Sequence, residues 1–325
     1  NLIYTGIIPT KNGKTIEKLG LKTKKGVDAI LDDLKGAEYK VQALEQKEVK
    51  RNPPPPLATS TLQQTSWQRL HFPAKLTMQL AQQLYEQGLI TYHRTDSLNL
   101  SQLSLNAAKA FIQKTYGKHY WPGFQRTFKT KSRGAQEAHE AIRPTDVQKT
   151  PESTGLGGPK LKLYELIWRR FLASQMAPAL VDATSVDIAA SNYTFRATGQ
   201  MLKFEGFLKV YPIKFEEAEL PSLNKGESLS LKELLSLQHF TQPPARYTEA
   251  SLIKALEENG IGRPSTYAPI LSTVQERGYV QKDEKHHLFP TELGSTVNNL
   301  LVEHFPTIVD TGFTADMEED LDDIA

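Results

Sequence analysis

The 325-residue sequence contains no cysteine, and this absence removes several kinds of chemistry at once. Without a thiol the chain cannot form disulfides, hold zinc through thiolates or use a cysteine nucleophile. No apolar run approaches the ~18 residues of a membrane-spanning helix, and no signal peptide is visible. This composition fits a reducing compartment, so we predict a cytoplasmic protein without a membrane partner.

Excess charge is also missing, because the formal net charge is only +2. If the chain binds nucleic acid, the attraction must come from local basic patches and not from the protein as a whole. The contents of hydrophobic (39%) and charged (23%) residues are ordinary for a globular protein. The length exceeds one comfortable hydrophobic core, so we expect roughly two to four domains.

Proline-rich and helical stretches divide the first half of the chain. Residues 1 to about 52 are predicted to form short strands and turns, and the Pro53–Pro56 run after them is a stiff connector. Leucines at four-residue spacing then predict an amphipathic helix that ends at Gly88. Further helices are predicted over residues 101–115 and 164–176, with a flexible break at residues 151–160.

The second half of the chain contains a strand-like pattern followed by a helical one. Alternating apolar and polar residues from 183 to 230 predict antiparallel strands, and Pro243–Pro244 close this block. The tail from Tyr247 has the order helix, helix, hairpin and helix, which is typical of winged-helix DNA-binding units.

The segment GLITYHRTDS, Gly88–Ser97, is the most informative motif of the chain. It places Tyr92 two residues before Arg94 at the end of the predicted helix. A phenol is a poor nucleophile at neutral pH, since its ordinary pKa is ~10. A neighbouring arginine can stabilise both a phenolate and a phosphate under attack. The pair therefore indicates covalent phosphoryl transfer, and an ordinary half-buried strand tyrosine is the alternative interpretation.

A weak internal repeat adds context to this motif. It pairs Gly88 with Gly278 and Ile90 with Val280, each after a predicted helix. If the repeat is real, Tyr92 lies on the wing of a second winged-helix unit, where a backbone phosphate could approach.

Two further motifs suggest phosphate contacts. In QEAHEAIRPTD, His139 and Arg143 are four residues apart, which would put both on one face of a helix. In IGRPSTYAP, Arg263, Ser265 and Thr266 stand where a helix begins, with Ser265 as its N-cap and free backbone amides that suit a phosphate. A surface helix with salt bridges and simple helix capping are the respective alternatives.

The acidic segment Asp316–Asp323, DMEEDLDD, resembles a metal site only superficially. It lacks the glycine and the alternating spacing of a calcium-binding loop, so we predict a solvated helix face there. We assign no metal ligand in this chain.

The ordered motifs together carry a resemblance that none of them carries alone. GLITYHRTDS, EAHEAIRPTD and NGIGRPSTYAPILSTVQERGYV, in that order, resemble the type IA DNA topoisomerases, in particular bacterial DNA topoisomerase I. YELIWRRFLASQM and FTADMEEDLDDIA also resemble segments of this family. The chain departs from the family pattern at His93, where methionine is usual.

The resemblance implies a role for each matched residue. The family's tyrosine attacks one DNA strand and becomes joined to the 5′ phosphate, a role that falls on Tyr92, with Arg94 stabilising the scissile phosphate. The other strand then passes, and the break is resealed without ATP. The candidates for lining the site or binding DNA are Gln82, Glu86, Thr95, Asp96, His139, Arg143, Arg263, Ser265 and Thr266.

The implied fold is an α+β multidomain arrangement that forms part of a toroidal core. Residues 1–52 and 179–245 would be one discontinuous, strand-rich gate domain, into which the tyrosine-bearing, winged-helix-like domain of residues 53–178 is inserted. Residues 246–325 would form a helical, winged-helix-like domain that binds single-stranded DNA. Hinges between the domains would let the tyrosine domain lift and open a hole for DNA.

Two parts of the family have no counterpart in this sequence. These are the N-terminal domain whose acidic cluster binds Mg²⁺ and the C-terminal cysteine zinc modules. We expect Mg²⁺ to be a cofactor of the full-length enzyme, bound outside this chain. The expected partners of this monomeric, nucleoid-associated protein are single-stranded and negatively supercoiled DNA, and the chain alone should relax supercoils poorly or not at all.

Two other interpretations stay open. A non-catalytic winged-helix regulator would explain the last 80 or so residues and would prefer duplex DNA, but it leaves Tyr92 and Arg94 without a role. A structural fragment with relic motifs would have no activity in any context, although each expected motif residue is intact.

Overall fold

The computed structural model describes residues 7–17, 20–128 and 139–324. Contacts between residues divide the chain into two units. One unit comprises Asn1–Asn52 and Pro178–Gln242, and the other comprises Pro53–Ala177 and Pro243–Ala325. Each unit is thus assembled from two separate stretches of sequence. No helix of the described residues is long and apolar enough to cross a lipid bilayer.

The first unit is built on an antiparallel sheet. Its strands within the described ranges are β1 (Ile7–Lys11), β2 (Lys14–Thr15), β3 (Tyr39–Arg51), β4 (Ala179–Ala190), β5 (Tyr193–Phe204) and β6 (Ser228–Leu229). They lie in the order β2-β1-β5-β4-β3-β6. β3 pairs with β4 from Tyr39 opposite Ala190 to Arg51 opposite Ala179. Main-chain hydrogen bonds therefore join the two stretches of this unit.

A helix, α1 (Lys24–Asp33), supplies part of the core of this unit. The prediction of only short strands and turns for residues 1–52 is wrong, because Thr23 caps α1 by accepting a hydrogen bond from Gly26 N (3.2 Å) and β3 runs for 13 residues. The predicted antiparallel strands after residue 183 are confirmed by β4 and β5. The buried core residues of the unit are Ile30, Leu34, Tyr39, Val41, Val186, Ile188, Ala190, Tyr193 and Phe195.

The second unit is mainly helical. Its first stretch forms α2 (Thr59–Leu70), α3 (Ala74–Glu86), α4 (Gln102–Thr115) and α5 (Gly158–Gln175), and its second forms α6 (Glu249–Glu258), α7 (Tyr267–Glu276), α8 (Glu292–His304) and α9 (Thr311–Ile324). Strands β7 (Val280–Lys282) and β8 (Leu288–Pro290) form a hairpin between α7 and α8. The helices predicted before Gly88, over residues 101–115 and 164–176, and in the tail are confirmed, although α5 begins inside the stretch predicted as a flexible break.

Apolar stripes decide how these helices pack. On α3, Leu80, Ala81 and Leu84 are buried, which confirms the predicted amphipathic face. α5 is buried over most of its second half and packs against α2, α3 and α4. α3 also packs against α7, and α2 packs against α6, so both stretches of the unit contribute to one core.

Polar contacts join the same helices. The buried Glu249 carboxylate on α6 accepts a hydrogen bond from Ala74 N (2.8 Å), at the start of α3, and pairs with Lys282 (2.6 Å). Glu257 on α6 accepts a hydrogen bond from the Ser60 hydroxyl on α2 (2.6 Å). An acid at a helix N-terminus is favourable because it meets unpaired amides and the positive end of the helix dipole. These contacts fix α2 and α3, which flank the candidate site.

Candidate active site

Tyr92 and Arg94 lie in an irregular segment beyond α3. Gly88 turns the chain with a φ of +66° just after the helix. Burial then alternates, because Tyr92 (42% exposed) and Arg94 are open to solvent whereas His93 and Thr95 are buried. The phenol and the guanidinium are therefore both accessible to a ligand from solvent. The segment is neither helix nor strand, and the strand interpretation of Tyr92 is therefore wrong.

Thr59, the first residue of α2, holds the segment on the C-terminal side of Tyr92. Its hydroxyl donates a hydrogen bond to His93 O (2.7 Å) and accepts one from Thr95 N (2.9 Å). Its backbone N also donates to Thr95 O (2.8 Å). Thr59 is completely buried, so these bonds are made away from water.

Thr91 holds the segment on the N-terminal side. Its backbone N donates to Arg143 O (2.9 Å), and its hydroxyl donates to Ala141 O (2.7 Å) and accepts from Arg143 N (3.0 Å). The neighbouring Ile90 forms a β-bridge with Pro144. The backbone is thus fixed on both sides of Tyr92 while its ring stays accessible.

Aromatic rings surround the Tyr92 side chain. Its centroid lies 5.2 Å from that of Tyr85, 5.3 Å from that of His93 and 6.5 Å from that of His139, each in an edge-on arrangement. Burial, followed by the charge of Arg94, lowers the pKa of His93 to about 4, so this imidazole is neutral at pH 7. The fixed positive charge beside the tyrosine is therefore that of Arg94.

A groove of about 1040 Å³ runs between α3 and α7. Its lining brings together Gln82 from α3, Arg94 from the tyrosine segment and Ser265 from the loop before α7. The Gln82 side-chain amide donates to the carboxylate of Glu86 (2.7 Å), one turn further along α3. Candidate residues from two distant motifs thus meet in one groove.

Asp96 lies close to the start of α7. Burial, then the nearby charge of Glu257, with Asp96 among the further causes, raise the pKa of Tyr267 to about 12. Tyr267 therefore stays a neutral phenol. Thr95 is buried, and its hydroxyl accepts a hydrogen bond from Ser97 N (3.0 Å), so its side-chain contact is with the protein backbone.

The residue at the N-cap of α7 is not the predicted one. Thr266, and not Ser265, occupies the N-cap, and its hydroxyl accepts a hydrogen bond from Arg263 N (2.8 Å), not from a helix amide. The prediction of Ser265 as N-cap is wrong, because that residue borders the groove instead. The predicted solvated face of residues 316–323 is confirmed, since its acidic residues are exposed apart from the half-buried Glu318. Asp322 on this face also pairs with the Arg263 guanidinium (2.8 Å).

Comparison with known proteins decides the family. Residues 5–325 match the sequence profile of a family described as DNA topoisomerase. The chain belongs to the DNA topoisomerase family. It is 47% identical over 313 residues to DNA topoisomerase 1 of Haemophilus influenzae and 48% identical over 301 residues to that of Pseudomonas aeruginosa. These alignments cover 95% and 91% of this chain but 36% and 34% of the relatives, so the chain spans about a third of their length.

A solved structure extends the similarity to the fold. Full-length topoisomerase I from Thermotoga maritima matches with a TM-score of 0.80 at 35% sequence identity. The match covers 99% of this chain and 53% of that protein. The mixed arrangement of antiparallel sheet and helices is therefore that of a topoisomerase I segment.

Of the candidate residues, Gln82, Arg94 and Ser265 line the groove; those that do not are Tyr92, Glu86, Thr95, Asp96, His139, Arg143, Arg263 and Thr266. Residues 139–146 are extended, so the prediction of a helix that carries His139 and Arg143 on one face is wrong; residues 136–138 lie outside the described ranges. Arg143 is only 12% exposed in its side chain and pairs with Glu140 (2.6 Å). Its guanidinium also donates to Pro144 O (2.9 Å). These contacts stabilise the strand-like segment that holds Thr91.

The internal repeat has a counterpart in the backbone. Gly88 (φ +66°) and Gly278 (φ +69°) each follow a helix in the left-handed conformation. The Thr145 hydroxyl donates to Gly88 O (2.6 Å), as the Thr291 hydroxyl donates to Gly278 O (2.7 Å). The two helix-ending turns are thus closed by the same kind of contact.

In the first copy of the repeat, the segment that pairs with the residues after the helix lies much further along the sequence than in the second copy. Ile90 bridges to Pro144, whereas Val280 pairs with Pro290 within a tight hairpin. A Pro-Thr dipeptide follows in both copies, at Pro144 and Pro290, and this signal could have identified the correct partner. Residues 91–143 are therefore an insertion between two short paired segments, with Tyr92 close to its beginning.

Some residues that act on the site through others carry no signal in the sequence motifs. Thr59 holds the tyrosine segment, and Glu318 and Asp322 hold the Arg263 loop. A threonine at a helix start is a recognisable signal, but its partners could not be named without tertiary structure. In the described part of the chain, no group of three or more His, Cys, Asp or Glu side chains is arranged for a metal ion, and the absence of a metal stays a prediction.

Proposed function

We propose that this chain is the strand-cleaving and strand-binding part of a type IA DNA topoisomerase, with Tyr92 as nucleophile. The exposure of Tyr92, two residues before the groove-lining Arg94, carries the proposal. Arginine is permanently charged and can bind two phosphate oxygens at once. The relatives, each named DNA topoisomerase 1, support the same reaction class.

The proposed chemistry is reversible phosphoryl transfer. The Tyr92 oxygen attacks the phosphorus of a DNA phosphodiester and loses its proton, a new O–P bond forms, and the bond from phosphorus to the 3′ oxygen breaks. The 3′ oxygen leaves and takes up a proton, while the 5′ phosphate stays on the tyrosine. Resealing is the reverse attack by the 3′ hydroxyl. Each step exchanges one phosphate ester for another, so ATP is not required.

Charge placement at the site supports this assignment. Negative charge develops on the oxygens of the transferred phosphate, and a preorganised cation close by lowers the barrier. Arg94 is that cation, since His93 is uncharged at neutral pH and cannot compete for the phosphate as an imidazolium. His139, whose ring lies near Tyr92, is proposed to contact the phosphate from another side.

The groove between α3 and α7 is the proposed path of the single strand. Gln82 and Ser265 line it with neutral polar groups, and Arg94 stands next to the tyrosine. Glu86, Thr95, Asp96, Arg263 and Thr266 are proposed to shape or flank this path. A groove with few cations suits a strand whose bases and sugars also make contacts, since phosphate attraction alone does not distinguish single strands from duplex.

The proposal also covers the place of this chain in the full-length enzyme. The matched turns at Gly88 and Gly278 support two winged-helix-like units, with Tyr92 near the start of the expanded wing of the first. In the toroidal enzyme the strand-rich unit would be the gate, and Mg²⁺ would be bound by a domain outside this sequence. The enzyme is proposed to act as a monomer on negatively supercoiled DNA in the nucleoid.

A covalent trapping experiment tests the function. The chain is mixed with Mg²⁺ and a single-stranded oligonucleotide labelled at its 3′ end, then denatured, with Tyr92→Phe alongside. Label that travels with the wild-type protein and is lost in Y92F supports a 5′-phosphotyrosine. If the chain alone gives no label, the metal-binding domain of a relative is supplied separately.

The same experiment distinguishes the proposed function from that of a non-catalytic DNA-binding protein. A non-catalytic winged-helix protein would bind duplex DNA more tightly than single strands and would give no label with or without the added domain. That pattern would overturn the proposed nucleophilic role of Tyr92.

A further inference from the structure

We propose that Thr59 is a positioning residue for Tyr92, whose hydroxyl fixes the tyrosine for strand cleavage without touching DNA. The inference rests on the proposed function of Tyr92 as the nucleophile. It concerns a different element of the chain, because Thr59 begins α2 and is separated from the tyrosine segment by the rest of α2 and by α3.

The hydroxyl of Thr59 is used in both directions. It donates to His93 O (2.7 Å), lies 3.0 Å from Thr95 O and accepts from Thr95 N (2.9 Å). The backbone N of the same residue donates to Thr95 O (2.8 Å). One buried side chain therefore bonds the two peptide groups on either side of Arg94, shortly after Tyr92, and water cannot replace it because Thr59 has no exposed surface.

Thr59 is itself held firmly. The hydroxyl of Thr61 accepts from Ala58 N (2.9 Å), which closes the first turn of α2. The next residue, Ser60, donates to Glu257 of α6 (2.6 Å), and Leu57 O accepts from Ile142 N (2.7 Å). The start of α2 is thus fixed on both sides, and the hydrogen bonds of Thr59 hold the tyrosine segment to this fixed helix end.

The consequence for reactivity follows from geometry. Thr91 fixes the backbone before Tyr92 and Thr59 fixes it after, so the Tyr92 side chain is left with only its own torsions to adjust. A nucleophile held in a near-attack position avoids most of the entropic cost of reaching it. Removing one of these anchors should therefore slow attack on phosphorus more than it weakens DNA binding, since the groove does not include Thr59.

Valine and serine substitutions test this role. Thr59→Val keeps the shape and removes the hydroxyl, whereas Thr59→Ser keeps the hydroxyl. Thr77→Val is the matched control, because Thr77 is equally buried in the same unit and its hydroxyl has no hydrogen-bond partner in the described ranges. The rate of covalent trapping, the Kd for the same oligonucleotide and the amide exchange of residues 93–95 are measured for each variant.

We expect T59V to lower the trapping rate by about ten- to hundredfold with Kd changed by less than about twofold. T59S should recover most of the rate, and T77V should behave as wild type. Faster exchange at Thr95 N in T59V, but not in T77V, would accompany the loss.

The outcomes separate this inference from the function on which it rests. A T59V protein that traps DNA at the wild-type rate would overturn the positioning role alone. Equal losses in T59V and T77V, or no recovery in T59S, would also overturn it, because they indicate general destabilisation. No trapping by the wild type, even with the added metal-binding domain, would overturn the proposed function and the inference together.

Discussion

Arg263 and Asp322 form a two-pronged ion pair, with Arg263 Nε 2.9 Å and Nη2 2.8 Å from Asp322 Oδ2. Glu318, one turn earlier on α9, accepts a hydrogen bond from Gly262 N (3.1 Å) and lies 3.6 Å from Arg263 Nη1. Carboxylates on α9 thus accept hydrogen bonds from the Gly262 amide and the Arg263 guanidinium, and both groups are of the kind that binds phosphate. Carboxylate and phosphate compete for such donors because both accept the same charge-assisted hydrogen bonds.

Releasing Arg263 is expected to strengthen binding of single-stranded DNA. Asp322→Asn should lower the Kd by about two- to fivefold at low salt, which corresponds to the ~0.5–1 kcal/mol of a partly exposed ion pair. Asp323→Asn makes the same change of charge on an exposed neighbouring residue and serves as control. Fluorescence anisotropy measures both, and equal effects of the two substitutions would mean that net charge, not Arg263, is responsible.

His93 should make stability depend on pH in a defined window. Its pKa is about 4 in the folded chain, against an ordinary value of 6.5. Between these values the unfolded chain binds more protons, so stability is fully present above pH ~6.5 and falls as the pH drops toward 4. The loss amounts to at most about 3 kcal/mol.

Urea unfolding at several pH values measures this contribution. His93→Met removes the titrating group, so the stability difference between H93M and wild type should change between pH 7 and pH 4.5. A constant difference across that range would contradict the burial of a neutral imidazole at this position.

Substitutions of Arg143 and Arg94 should affect different properties, the first the stability of the chain and the second covalent trapping of DNA. Burial disfavours the Glu140 carboxylate, but hydrogen bonds from Ser101 and Arg143 outweigh it and lower its pKa. Arg143→Gln leaves this partly buried acid without its cation and should cost about 1–3 kcal/mol of stability, with DNA affinity nearly unchanged.

Arg94→Gln is the opposite case. Arg94 is exposed, so its loss should leave the unfolding free energy within about 0.5 kcal/mol while covalent trapping falls by about 10²-fold or more. Thermal unfolding and trapping are measured on the same preparations. A trapping defect in R143Q as large as that in R94Q would assign Arg143 to the reaction instead.

Two glycines should respond to alanine for different reasons. Gly88 has a φ of +66° and nothing within 4 Å of an added Cβ, so Gly88→Ala should cost only the ~1–2 kcal/mol of left-handed backbone. At Gly294 on α8 an added Cβ would overlap the Tyr279 carbonyl, and α8 would have to move away from the hairpin. Gly294→Ala should therefore cost clearly more, and equal unfolding free energies for the two variants would contradict the close contact.

Much of the fold follows from local patterns. The four-residue spacing of leucines gives α3 its buried face, and Ser101 caps α4 where a helix start was expected. The regular alternation of β4 and β5 likewise predicts an antiparallel pair. Such elements are predictable because periodicity and capping act over a few residues.

Residues 139–146 show where local patterns fail. The spacing of His139 and Arg143 suits a helix, yet the segment is extended because its backbone pairs with Leu57 and Thr91. Those partners lie far away in sequence, and no local signal in the segment names them. The same holds for α1, which is short and covers a sheet whose strands come from both stretches of its unit.

The sequence by itself determined the chemical types at the site, Tyr92 with Arg94, and their family, because these depend on residue identity and motif order. Tertiary structure decided which groups surround them. It placed Ser265 in one groove with Arg94, Thr59 in hydrogen-bond contact with the tyrosine segment and Asp322 against Arg263. Contacts of this kind arise from packing between distant segments, and their hydrogen bonds form only after the helices that carry them have buried their apolar faces.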